Sequence, residues 1–254
     1  MNLINELSAN NNGLKSELKK PKKEANKTSY VLYNAMLHPI INYTMKGVIW
    51  YQGESNSGKA KLYQTLFPAM VKSWREDWKQ GDFPFYYVQI TPHKGQTPEI
   101  REAQLLSLKK ITNTGMVVTT DVGNVTNIHP IDKQTVGYRL ALIARAKTYG
   151  ENKLVYSGPM YNHLKIKKNK IQLFFDDVDS GFKKTSEDLK EFEIAGDDKI
   201  FYPAAAKING KTVVVSSEMV KKPVAVRFAW KPVPEPNLFN AENLPASPFR
   251  TDDW

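Results

Sequence analysis

The chain has 254 residues, 41% of them hydrophobic and 24% charged, with no cysteine and a formal net charge of +10. This is the profile of a globular protein; it excludes disulfides and thiolate chemistry, and the lack of any run of about 18 apolar residues excludes a transmembrane helix. The positive balance raises nucleic acid as a partner, but the lysines in "KKPKK" and "KIKKNK" read as solvated surface, and no recognition helix or aromatic platform accompanies them.

Residues 1–28, rich in Asn, Lys and Ser, read as a flexible basic arm. They hold no apolar core of signal-peptide length, and the compartment stays open. "YVLYNAMLHPIINYTM" predicts a helix that Pro39 should kink. "GVIWYQ" is a nearly continuous apolar run, as in a buried parallel strand. "KLYQTLFPAMVKSWREDW" predicts an amphipathic helix interrupted by Pro68. "FPFYYVQI" is a strand, and "PEIREAQLLSLKKI" is a helix with Pro98 near its first position. "GMVVTTD" is a strand, and "DKQTVGYRLALIARAKTYG" is a helix closing on Gly150. Residues 29–150 therefore read as an α/β core with parallel strands and right-handed crossovers. Residues 151–254 change character. "KIQLFF", "AAAKING", "TVVVSS" and "AVRFAW" predict antiparallel strands, with a hairpin at "NGK". The aromatic tail "NLFNAENLPASPFRTDDW" should pack back on the body.

In open α/β sheets the ligand site lies beyond the carboxyl ends of the strands. That rule points to the loops after Tyr51, Ile90 and Thr120. The first contains "GESNSGKA", close to a phosphate-binding loop, but Ala60 stands where such a loop needs a hydroxyl for Mg²⁺. The third contains His129, which is placed to act as a general base or to cap the next helix. No His or carboxylate cluster has metal-ligand spacing, and neither metal nor cofactor is expected. Trp50, Tyr51 and Trp74 offer either aromatic faces for a ligand or core packing. His93 follows the second strand and either contacts substrate or is solvated.

"LYNAMLHPIINYTMKGVIWYQGESN", "LYQTLFPAMVKSWREDWKQGDFPFYYVQI", "IREAQ", "IHPIDKQTVGYRLALIARAKTYG" and "LPASPFRTDDW" resemble the sialate O-acetylesterase family, which are SGNH-type carbohydrate esterases. The resemblance runs from about Tyr30 to Trp254. It implies a flavodoxin-like three-layer α/β/α sandwich with β-rich additions, in a family that is often exported. It also implies hydrolysis of O-acetyl esters on sugars such as sialic acid. It puts the catalytic base at His129 and the oxyanion and substrate-binding block at Gln52, Gly53, Glu54, Ser55 and Asn56. Arg101, in "REAQ" with Glu102 and Gln104, either shapes the sugar pocket or ties the helix start to neighbouring loops. The family's acidic triad position, three residues before the histidine, holds Thr126, which leaves Asp121 and Glu54 as candidates to orient His129.

The family nucleophile is a serine in an early "GQSN"-like block. Ser8, Ser16 and Ser29 lack that context, and Ser55 belongs to the later block. The chain therefore reads as the C-terminal portion of an esterase, lacking its first strand and its nucleophile. A displaced start, an N-terminal segment on a separate chain, or a degenerate product would each give this. Little activity is expected from the chain alone, and a non-catalytic carbohydrate-binding pseudoenzyme is the alternative. His129 is expected on the same side of the sheet edge as Gln52 and Glu54.

Overall fold

The computed structural model describes residues 28–254, so the predicted basic arm lies outside the described residues apart from Thr28. The chain divides into two compact units, Met1–Thr44 and Met45–Trp254. In the first, Tyr33–Leu37 winds as a π-helical turn and His38–Ile40 as a 3₁₀ turn. Pro39, which has no N–H to donate, falls at the change of helix type.

The second unit contains both the parallel sheet and the β-rich region. Strands β1 (Val48–Trp50), β2 (Phe85–Val88) and β3 (Thr114–Val117) form a parallel sheet in the order β1-β2-β3. Helix α1 (Ala60–Trp78) connects β1 to β2, helix α2 (Pro98–Ser107) connects β2 to β3, and helix α3 (Lys133–Lys147) follows β3. The register pairs Ile49 with Tyr86, and Tyr86 with Gly115. All four residues of β2 are buried, because it has a strand on each side and helices on both faces. Alternation sends Phe85 and Tyr87 towards α1, where they meet Phe67. Tyr86 and Val88 point the other way and pack with Val136, Leu140 and Ile143 of α3.

Pro68 does not interrupt α1, which runs unbroken for 19 residues. An internal proline leaves the carbonyl four residues earlier without its amide partner. Here that carbonyl, Gln64 O, accepts a hydrogen bond from Lys110 Nζ at 3.0 Å. At the other end of α1, Arg75 is buried and donates to Phe83 O and Thr112 O, clamping two loops at the amino ends of β2 and β3.

The β-rich region has two antiparallel four-stranded sheets. One runs β4 (Met160–Lys167), β5 (Lys170–Asp176), β9 (Thr212–Ser216), β8 (Ala205–Asn209); the other runs β11 (Phe249–Arg250), β10 (Ala225–Phe228), β6 (Phe192–Ala195), β7 (Phe201–Pro203). They share one core that includes Ile171, Leu173, Val213, Ile194, Val226 and Phe228. The "NGK" turn joins β8 to β9 with Asn209 opposite Thr212, and Gly210 takes the positive φ (59°) that the tight turn needs. "KIKKNK" forms the β4–β5 hairpin, with β4 a lysine-bearing edge strand as expected. The tail packs back as β11. Buried Gln89 of the first sheet's carboxyl edge donates to Ser247 Oγ at 3.1 Å, tying tail and parallel sheet together.

Candidate active site

Three loops emerge at the carboxyl edge of the parallel sheet. The loop after β1 turns sharply at Gly53 (φ 156°, ψ −16°) and enters a 3₁₀ helix, Glu54–Lys59. A Cβ on Gly53 would lie 2.9 Å from Ile90 Cγ2 and 3.0 Å from Gln104 Nε2, so only glycine fits without a shift. Gln52 Nε2 donates to Asn56 Oδ1 at 2.7 Å, which fixes both side chains of the predicted block. Ser55 is exposed, whereas Ser57 is buried and its Oγ accepts from Thr97 N at 2.8 Å.

Gln104 joins this loop to the next. Its Nε2 donates to Gln52 O and to Val88 O, each at 3.2 Å, and its Oε1 accepts from Ile90 N at 2.9 Å. Tyr63 OH also donates to Gln52 O, at 3.2 Å. The second loop meets the third at Pro92 and Lys94. Asn124 N donates to Pro92 O and Lys94 N to Val125 O. A Cβ on Gly123 would lie 2.5 Å from Pro92 Cδ, so glycine is what lets the two loops approach.

The third loop is braced by its own asparagines. Asn124 Oδ1 accepts from Thr126 N and Asn127 N, and Asn127 Oδ1 accepts from His129 N at 2.9 Å. The His129 side chain is exposed, and its ring has no hydrogen-bond partner among the described residues. Asp132 caps α3 by accepting from Thr135 N at 3.0 Å. Lys133, in the first turn of α3, places its Nζ 4.8 Å from the centre of the Tyr51 ring. That cation–π contact joins the loop after β1 to the helix start that His129 precedes.

Two candidate residues have other partners. Both oxygens of Asp121 are bound by Arg139, at 2.7 and 2.6 Å, and Asp121 makes no hydrogen bond to His129. Arg139 also donates to Val118 O, so the pair anchors the third loop to α3. Arg101, for which the sequence left open a pocket role and a tying role, is fully buried and donates to Lys231 O and Pro232 O, the tying arrangement. Burial pulls its pKa down to about 10, against the opposing charge of Glu99. Glu102 holds Arg250 of β11 at 2.8 and 3.1 Å, the tying role.

Glu54 is the carboxylate left free. It is half-buried and has no ion pair or hydrogen bond among the described residues. Burial raises the pKa of Tyr51 and of Tyr63, and the charge of Glu54 pushes both further up. Trp50 and Trp74 are half-buried and pack edge-to-face, 5.7 Å apart, with Trp50 also against Phe67 and Phe85, an aromatic packing arrangement. His93 Nδ1 accepts from Gly95 N at 3.0 Å, which places any ring proton on Nε2. Among the described residues no His, Cys, Asp and Glu group can hold a metal ion, and no helix is long and apolar enough to cross a membrane.

Gln104 takes the tying role that the sequence offered for "REAQ", and the structure supplies its partners. Its signal was present: a polar residue between the buried Ile100, Ala103 and Ser107 on the inner side of α2.

Residues 18–143 match the family model described as carbohydrate esterase, sialic acid-specific acetylesterase. The chain is similar to sialate O-acetylesterase from Mus musculus, 34% identical over 252 residues, covering 86% of this chain and 46% of that protein. It is equally similar to the Homo sapiens protein of that name, 34% identical over 255 residues, covering 86% of this chain and 48% of the relative. A solved carbohydrate acetylesterase from Xanthomonas citri superposes with a TM-score of 0.84 at 42% identity, over 88% of this chain and 54% of that one. The chain thus spans about half the length of the curated relatives it matches.

Proposed function

Since this chain belongs to the sialic acid-specific carbohydrate acetylesterase family, we propose that it is the base- and oxyanion-bearing part of an enzyme that removes O-acetyl groups from sugars such as sialic acid. The observation that carries this reading is the joining of three carboxyl-edge loops, with a His129 ring in one and a Glu54 carboxylate in another that have no hydrogen-bond partner among the described residues. The sheet with helices on both faces supports a flavodoxin-like sandwich of which this chain forms part.

In this reading a serine hydroxyl supplied from outside the 254 residues attacks the acetyl carbonyl. His129 takes its proton, and the carbonyl oxygen becomes the oxyanion of a tetrahedral intermediate. Donors of the Gln52–Asn56 block stabilise that oxyanion. Asn56, whose Oδ1 is occupied by Gln52, keeps its Nδ2 as a donor. Collapse breaks the ester bond, and His129 returns the proton to the departing sugar oxygen. Water, deprotonated by His129, then hydrolyses the acetyl-serine and releases acetate. Glu54, with Asp121 held by Arg139, is the acid available to steady the imidazolium. Arg101 positions the loops from behind.

The chain alone turns over 4-nitrophenyl acetate poorly. Joined to the part of the Xanthomonas citri acetylesterase that precedes the matched region, it acquires acetylesterase activity. His129→Ala in that assembly removes roughly 10³-fold or more of the rate. Activity that survives His129→Ala refutes the assignment. The lack of a "GQSN"-like block in these residues favours one second reading, a carbohydrate-binding pseudoenzyme. That reading requires calorimetric binding of O-acetylated sialic acid by the chain with no turnover in either form.

A further inference from the structure

The outer face of the sheet β11-β10-β6-β7 carries a cavity that the esterase reading does not use. Phe192 and Ile194 of β6 point into the core, so alternation turns Glu193 outward. Glu193 stands directly opposite Arg227 of β10. The two do not pair. Arg227 gives its Nε and Nη2 to the Asp252 carboxylate, at 3.0 and 2.6 Å, and Nη2 also donates to Trp254 O at 3.2 Å. The Glu193 carboxylate is half-buried and has no hydrogen bond or ion pair among the described residues. A carboxylate partly withdrawn from water calls for a donor. This one opens on a cavity of about 290 Å³, whose other walls are Trp230, Pro203, Phe192, Glu191 and Lys231.

The Trp230 indole is half-buried, and its N–H has no hydrogen-bond partner among the described residues. The guanidinium carbons of Arg227 and Arg250 lie 5.9 and 5.2 Å from its ring centre. Both arginines reach the same oxygen of Asp252, so they share one side of the ring, and neither lines the cavity. The remaining ring surface belongs to the cavity. Glu191 Oε1 is held by Lys231 Nζ at 2.8 Å and by Glu235 N at 3.1 Å, which leaves Glu193 as the free acceptor. An aromatic face with a few convergent polar groups, in a space near the lower bound of roughly 300 Å³ for ligand sites, is the form of a small-molecule pocket.

We infer that this cavity is a subsite for one neutral pyranose residue of a glycan, stacked on Trp230 with adjacent hydroxyls donating to Glu193. The inference rests on the esterase reading for the class of ligand. Charge selects a neutral sugar: two carboxylates face one ammonium, which repels the carboxylate of an acidic sugar. A cationic ligand fits less well, because two guanidiniums already lie against the ring. The segment from Trp230 to Pro232 ties the cavity to the candidate active site. The carbonyls of Lys231 and Pro232 hold Arg101, and Pro232 O accepts from His93 N at 3.3 Å in the second carboxyl-edge loop.

The test follows the Trp230 indole N–H by ¹⁵N NMR of the full chain, assigned with Trp230→Phe, while lactose or cellobiose is added. Expected is a saturable shift of that resonance with at least one of the two disaccharides. Glu193→Gln, which keeps the shape and removes the charge, weakens binding roughly fivefold or more. Glu218→Gln, at an exposed carboxylate outside the cavity, leaves binding unchanged. Free sialic acid binds roughly tenfold or more weakly than the better disaccharide. No shift with either disaccharide overturns the inference, as does a shift that both glutamine variants alter equally. Tighter binding of sialic acid, or a shift with tetramethylammonium alone, refutes the neutral-sugar assignment. None of these readouts depends on turnover. Sugar bound at Trp230 in a chain whose assembled form is inactive leaves the subsite standing and removes the esterase reading. An active assembly with no shift at Trp230 does the reverse.

Discussion

Replacing Gln104 with methionine isolates what its amide contributes, because volume is nearly conserved and only the hydrogen bonds go. Of the three groups it contacts, Gln52 O keeps the Tyr63 hydroxyl at 3.2 Å, and an unpaired carbonyl is the milder loss. Ile90 N loses the partner at 2.9 Å that the structure gives it, in a residue that is 1% exposed. A stranded buried donor costs about 1–3 kcal/mol. With a urea slope of roughly 2–3 kcal/mol/M, the unfolding midpoint falls by about 0.3–1.5 M with the slope unchanged. Gln104→Glu discriminates further. Its carboxylate still accepts from Ile90 N but sets its second oxygen against Gln52 O and Val88 O. At pH 7 it is therefore less stable than the methionine variant, and it recovers in acid, where the protonated oxygen can donate. The assay is urea unfolding followed by tryptophan fluorescence, which Trp50 reports from the adjoining strand. A midpoint within about 0.2 M of wild type for Gln104→Met refutes the bridging argument.

Two other perturbations follow from the same packing. Lys110→Met destabilises the wild type by about 1 kcal/mol, by removing the donor to Gln64 O, but has almost no effect in a Pro68→Ala background where a helical N–H replaces it; equal effects in both backgrounds by a denaturation double-mutant cycle contradict this role. Burial raises the pKa of Tyr87 well above the ordinary phenol value of 10, so its stabilising contribution is complete below that value and is lost as pH rises past it. The stability difference between wild type and Tyr87→Phe, measured by urea unfolding at pH 8–11, is therefore level up to about pH 10 and shrinks above it; a difference that grows with pH reverses the sign and rejects the assignment.

The residues by themselves determined the alternation of strand and helix from Val48 to Lys147, the switch to antiparallel strands after residue 151 and the "NGK" hairpin, because each rests on local periodicity and turn chemistry. They also pointed to three loops at one edge of the sheet, since parallel strands deliver their following loops to one edge. What they could not decide was which polar side chain has which partner. Asp121 and Glu54 looked interchangeable as acids until Arg139, 18 positions from Asp121, took one and left the other free. Arg101 was open to a pocket role or a tying role until the backbone at Lys231 and Pro232, about 130 residues away, took its guanidinium. Pro68 looked like a helix break until Lys110, 46 residues after Gln64, satisfied the Gln64 carbonyl that the proline orphans. Local pattern follows from the covalent chain and the spacing of apolar groups. Charge pairing, burial and hydrogen-bond rescue depend on distances between segments remote in sequence, and those exist only once the sheet has brought them together.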